Sequence, residues 1–406
     1  VAMKVMIDYC IARPLPMSPE NGAPAPAENL QQTLRKQLGQ LVCVGFHGTT
    51  LTDPGVRKII EQAEAGLIGG VIIYRYNIIN RVQLTQLLQG IQEATTEFPL
   101  FVFVDQEGGK IQRVDSSQGF KETLSAKRVA ADLSPKAAQQ HYADLGQELQ
   151  AAGFNFDLAP CVDLDADPSG PAIGQLDRSY GQDVTTVTTY AQTMLEGLGS
   201  QGVLGCLKHF PGHGRARGDS HTGLLDITLT WTEAELEPFK QLLSHGVVDA
   251  VMTSHLIHQN VDAGTPVTFS CEWLRILRED LGFDGVIVAD DLHMGAIIRH
   301  YTLQQTVVQG LTAGLDLLMF SNNPLAAQPQ GIRHDLNASM ATVSTGDWVV
   351  ADSDLPAKIN FEVIAAVAAG HLAEGVINSA YERVIRLKRK LVRLQADTVS
   401  LQSELT

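Results

Sequence analysis

Eight short apolar, β-branched runs recur along the chain, at 41–46, 70–74, 100–104, 154–158, 203–207, 250–253, 285–289 and 315–320. Amphipathic stretches of helical period lie between them, at 81–94, 136–152, 186–198, 233–243, 272–281 and 303–313. This alternation constrains the fold more than any other feature. Strands alternating with helices predict a parallel sheet in an α/β protein. Eight repeats are what a closed, TIM-like (β/α)8 barrel needs. An open doubly wound sheet is the alternative, but no G-x-G-x-x-G follows the first run, which weakens a dinucleotide-binding version.

The polar residues gather where these runs end. Asp105 ends the third run, Asp157 and Asp163 lie at or beyond the fourth, and Lys208 and His209 end the fifth. Ser254 and His255 follow the sixth, Asp290 the seventh, and Ser321 and Asn322 the eighth. Barrel enzymes carry their chemistry on the carboxyl ends of their strands, so the pattern points to an enzyme.

One stretch stands out, GCLKHFPGHGRARGDSHT at 205–222, with three histidines, one lysine, two arginines and one aspartate. Pro211 and four glycines exclude a regular helix, which predicts a working loop after the fifth strand. Asp219, two residues before His221, is placed to hydrogen-bond one imidazole nitrogen and make the other a better base. His209 and His213 have the spacing of a metal pair, but Pro211 and Gly212 break the helix that would put them on one face. Lys208 and His209 read better as donors to substrate hydroxyls. Asp290 lies two residues beyond Val288, on the same side of the strand as Val286. Asp291 points the other way, toward a helix cap. A carboxylate fixed at a barrel mouth suits attack on a sugar carbon, or metal binding. Asp105 is placed to accept from vicinal hydroxyls, and Arg113 and Arg178 lie in Gly-bounded loops.

Length and composition set the remaining limits. The chain has 406 residues, 44% hydrophobic and 18% charged, enough for a large core. We expect a lead-in over 1–28, a single barrel domain over 29–396 with an excursion at 324–358, and a tail over 397–406. A net charge of -15 argues against nucleic acid as a partner. No apolar run is long enough to span a bilayer. Five scattered cysteines without a C-x-x-C pair predict no disulfide framework and a reducing, cytoplasmic setting.

Together the motifs resemble glycoside hydrolase family 3, and within it the bacterial β-N-acetylglucosaminidases of cell-wall recycling. The matching pieces are VDQEGGKIQR (104–113), NFDLAPCVDLD (155–165), DRSYG (177–181), KHFPGHG followed by DSH (208–221), GVIVADDLHMGAI (285–297) and AGLDLLMFSNNP (313–324). The resemblance implies a TIM-like barrel, retaining two-step hydrolysis, no cofactor, no metal, and a carbohydrate or muropeptide substrate. Asp290 would be the nucleophile and His221 the acid/base, with Asp219 as its partner. Asp105, Arg113, Arg178, Lys208 and His209 would hold N-acetylglucosamine. The expected protein acts as a monomer. The alternatives are another family 3 β-glycosidase or a phosphorylase, a metal-dependent barrel hydrolase using His209, His213 and Asp290, and a sugar-binding protein without catalysis.

Overall fold

Each expected run forms a strand. In chain order these are β1 (Val42–Gly45), β2 (Gly70–Ile72), β3 (Phe101–Val104), β4 (Phe156–Asp157), β5 (Cys206–Phe210), β7 (Ala250–Thr253), β9 (Val286–Val288) and β10 (Leu318–Phe320). Two further short strands, β6 (Leu225–Asp226) and β8 (Leu256–Ile257), pair with each other outside this set. The computed structural model describes residues 27–95, 97–216, 218, 223–323 and 352–404.

All ladders among the eight main strands are parallel. One sheet runs β10-β1-β2-β3-β4 and a second runs β5-β7-β9. Two seams join them. Phe156 bridges to Leu204 just before β5, with Asp157 N donating to Leu204 O at 2.8 Å. Val288 bridges to Leu317 just before β10, with Ala289 N donating to Leu317 O at 2.9 Å. The strand circle is thereby complete, in the TIM-like arrangement that the eightfold repeat predicts.

Every residue of β1, β3, β7 and β9 is buried, as expected where side chains of one face fill the barrel and those of the other meet helices. Phe101, Phe103 and Phe156 pack together, with ring centroids 4.6 to 5.7 Å apart. The outer helices carry local start and stop signals. Helix Pro135–Ala152 has Pro at its start, is capped by the Ser134 hydroxyl on Ala137 N, and ends at Gly153 in the left-handed region at φ 104°. Tyr142, Leu145 and Leu149 form its buried stripe.

The structure corrects several expectations. Helices Pro54–Glu64 and Ala126–Asp132 add to the expected helical stretches. β5 begins later than the expected run and continues through Lys208 and His209 to Phe210. Part of the expected excursion is helical, because helix Leu355–Ala368 begins within it. The remainder, at 324–351, lies outside the described residues, as do residues 1–26 of the lead-in. The cysteine reading also fails at one position. Cys271 is disulfide-bonded, while Cys43, Cys161 and Cys206 are free and buried. An odd cysteine count does not prevent a single cross-link, so cysteine usage no longer argues for a reducing compartment. Among the described residues, no helix is long and apolar enough to cross a membrane.

The last helix, Glu374–Glu404, packs on the helix Ala27–Gln40 beneath β1. Its Lys388 is fully buried, donating to Gln40 Oε1 at 2.7 Å and Gly69 O at 2.8 Å, with its ammonium 4.9 Å from the Phe101 ring centroid. Gly69 precedes β2, so Lys388 lies at the end of the barrel opposite the strand carboxyl ends.

Candidate active site

At the carboxyl ends, a connected set of charges gathers from four segments. Asp105 follows β3 and accepts from Arg113 Nη2 at 2.9 Å and from Lys208 Nζ at 3.0 Å. Lys208 also pairs with Glu107 Oε1 at 2.6 Å. Arg178 grips Glu107 with two parallel bonds of 2.7 and 2.8 Å, and a third goes to Ala172 O at 3.0 Å. Its Nη2 lies 3.1 Å from His209 Nε2, and His209 Nδ1 lies 2.7 Å from Asp163 Oδ2. A guanidinium only donates, so Nε2 accepts and Nδ1 carries the hydrogen toward Asp163. Asp163 Oδ1 also accepts from His213 N at 2.8 Å.

Asp105, Arg113, Arg178, Lys208 and His209, which are scattered over a hundred positions, are thus brought together. Sequence reading gave no role to Glu107 and Asp163, the carboxylates that join them. The available signal was electrostatic. Lys208 is 2% exposed, and a lysine that deep needs counter-charges. Glu107 lies two residues from Asp105, on the same turn.

The energetics follow from burial. Burial alone would raise the Asp105 carboxyl, but Lys208 and Arg113 more than offset it and hold it well below the usual range. Glu107 is likewise burdened by burial and brought down to about 2 by Arg178 and Lys208. Burial works against the Lys208 ammonium, yet Glu107 and Asp105 hold its pKa above the ordinary lysine value. The three groups keep one another ionised in a site that water barely reaches.

Asp290 follows β9 and is half-buried, its Oδ1 accepting from Asp291 N at 2.8 Å. Burial above all pushes the Cys206 thiol up, with Lys208 opposing it, and Asp105, Asp157 and Asp290 are the carboxyl groups close enough to act on it, so the three share the interior around β5. Asp291 turns elsewhere. Its Oδ1 accepts from His293 N at 3.0 Å and Ser321 N at 2.7 Å, tying the turn after β9 to the end of β10. The cap expected of it is not the one found, because Met294 occupies the N-cap position of the helix Gly295–Ile298.

The Pro-Gly loop is anchored at its base. Trp231 Nε1 donates to Pro211 O at 3.1 Å, and Gly214 N donates to Glu235 Oε2 at 3.0 Å. A Cβ on Gly212, which has φ 122°, would stand 2.5 Å from the Cβ of Glu235, so this approach requires glycine. Burial, followed by the charge of Asp163, raises the Glu235 carboxyl to about 8. Burial and then His209 lower His213 to about 4. Asp219 and His221 lie outside the described residues.

The H-x3-H spacing does not make a shared metal pair among the described residues, because His213 offers no ligand atom to the group that gathers at His209. Among the described residues, Cys161, Asp163 and His209 offer ligand atoms within 4.8 Å of one another. Asp163 and His209 already bond each other there, and the Arg178 cation sits against the second imidazole nitrogen. That donor set fits a hydrogen-bonded pair better than an ion.

Residues 33–387 match the glycosyl hydrolase family 3 N-terminal domain, and the chain belongs to that family. It is a glycoside hydrolase. The beta-hexosaminidase of Nitrosomonas eutropha is 34% identical over 300 residues, covering 71% of this chain and 82% of that one. The beta-hexosaminidase of Haemophilus influenzae is 34% identical over 282 residues, covering 65% and 77%. A family 3 beta-N-acetylglucosaminidase from a Paenibacillus species superposes with a TM-score of 0.75 at 29% identity, over 88% of this chain and 62% of that longer one. The beta-N-acetylhexosaminidase of Beutenbergia cavernae gives 0.74 at 27% identity, over 87% and 98%.

Proposed function

We propose that the chain is a retaining exo-β-N-acetylglucosaminidase that removes terminal β-linked N-acetylglucosamine through a glycosyl-Asp290 intermediate. The observation that carries this reading is the buried Asp105–Lys208–Glu107–Arg178–His209 network on the same strand ends as Asp290. The names of the similar proteins support it. Asp105 accepts from sugar hydroxyls, while Arg113, Lys208 and Arg178 donate, and His209 contributes by holding Arg178 in place.

In the first step, the Asp290 carboxylate attacks the anomeric carbon as the bond to the leaving oxygen breaks. His221 gives that oxygen its proton, and Asp219 steadies the resulting charge pattern. In the second, His221 takes a proton from water, water attacks the same carbon, and the Asp290 ester bond breaks. The sugar leaves with its β configuration kept. Most retaining glycosidases hold two carboxyl groups about 5 Å apart. A histidine in place of one of them is cationic before it gives up its proton and neutral afterwards, so it never sets a second anion against Asp290.

The natural substrate in this reading is a muropeptide with N-acetylglucosamine β-linked to anhydro-N-acetylmuramic acid, cleaved by a monomer. A cytoplasmic location goes with that recycling role. The disulfide at Cys271 weighs the other way, and cell fractionation decides between them. The test of activity is a panel of nitrophenyl β-glycosides, with the product anomer followed by NMR. Preference for the N-acetylglucosaminide with initial release of the β anomer is expected. Preference for glucoside or xyloside, or initial α product, contradicts the proposal.

A further inference from the structure

Asp157 closes β4 and is fully buried, yet the proposed chemistry makes no use of it. Its Oδ1 accepts from Gln106 N at 3.0 Å, and its Oδ2 is sealed from solvent without a hydrogen-bond partner among the described residues. Gln106 stands between Asp105 and Glu107, the two carboxylates that hold Lys208. The Gln106 side chain reaches the other way, accepting from Arg113 N at 2.9 Å and donating to Val114 O at 2.9 Å. Asp157 therefore fixes the backbone from which Asp105 and Glu107 both project, and through Gln106 it also fixes the loop that carries Arg113.

The charges around it are already matched. Lys208, Arg113 and Arg178 face Asp105, Glu107 and Asp163. A further anion at Asp157 would have a bare buried oxygen, which is far costlier than a neutral acid. The groups that act on Asp157 or feel it are Asp105 and Glu107 after β3, Lys208 and Cys206 on β5, and Tyr142 on the helix behind β4. Lys208 is the one cation among them.

We propose that Asp157 is a positioning residue that holds the Asp105–Lys208–Glu107 bracket as an uncharged acid, and that its ionisation loosens the bracket and weakens sugar binding on the alkaline side. An anion there draws on the Lys208 ammonium and repels both carboxylates that Lys208 serves. Burial above all raises Asp157 to about 8, with Asp105 and Glu107 adding to it, which puts the loss at mildly alkaline pH.

This inference rests on the proposed sugar-binding role of Asp105 and Lys208. It is tested with whichever glycoside the enzyme turns over fastest, so a wrong substrate assignment does not decide it. In the wild-type enzyme, KM should rise above pH 8 while kcat holds, with affinity falling by up to about tenfold per pH unit for a single-proton linkage. In Asp157→Asn the amide oxygen still accepts from Gln106 N, and the alkaline rise in KM should disappear. Asp157→Ala should raise KM at every pH. A wild-type KM that is flat to pH 9.5, or an alkaline limb unchanged in Asp157→Asn, overturns the proposal. If neither variant folds, a flat wild-type profile still overturns the proposal.

Discussion

The ammonium nitrogen of Lys208 lies 2.6 Å from Glu107 Oε1, and both side chains are no more than 3% exposed. A pair this deep is costly to break from one side, because removing either partner strands the other charge. Glu107→Gln should destabilise the protein by about 3–5 kcal/mol and raise KM, since Lys208 and Arg178 both lose their anchor. Urea unfolding with parallel KM measurements checks this. A change below about 1 kcal/mol would mean that Glu107 is not the hub described here.

Arg178→Lys keeps the charge and loses the fork. The two bonds to Glu107 and the contact with His209 depend on a planar guanidinium. We expect KM to rise by about 10–100-fold. Unchanged kinetics would show that charge alone is needed.

Glu235 gives a stability prediction with a definite sign. Its folded pKa, about 8, lies above the ordinary value of 4.5, so the folded state binds more protons than the unfolded state between them. Stability from this group is complete below the ordinary value and declines as pH rises toward 8. Glu235→Gln removes the titration and can still accept from Gly214 N. Its Tm relative to wild type should therefore be higher at pH 8 than at pH 4. Equal differences at both pH values contradict the assignment. Asp105, Glu107 and Asp163 act oppositely, with lowered pKa values whose stabilisation is lost only as pH falls.

Much of this was legible in the chain. The eight strands announced themselves because parallel barrel strands are buried on both faces and read as continuous apolar runs. Asp105, Lys208 and Asp290 could be singled out because polar residues ending such runs have few structural reasons to be there. Glu107 and Asp163 were not assigned, because their roles depend on contacts with residues dozens of positions away. The cross-link at Cys271 was invisible for a similar reason, since spacing alone does not pair cysteines. Asp157 looked like one more strand-end acid. Only its burial and its bond to Gln106 set it apart.

Lys388 separates stability from activity. Burial lowers its ammonium to about 7, so the cost of burying a charge is present at low pH and disappears as pH rises through 7 and then past the ordinary value of 10.5. It sits at the end of the barrel away from the reactive groups, where barrels carry stability. Lys388→Met should change Tm in a pH-dependent way, with its most favourable difference from wild type below pH 7, and leave kcat and KM unaltered. A shift in KM would break the division between the two ends.

The proposed chemistry requires Asp290 to form a bond to the sugar. Incubation with a fluorinated N-acetylglucosaminide that bears a good leaving group, followed by peptide mass spectrometry, measures this directly. A glycosyl adduct on the peptide containing Asp290, absent in Asp290→Ala, is the predicted result. Full turnover by Asp290→Ala, or an adduct on another carboxylate, would contradict it.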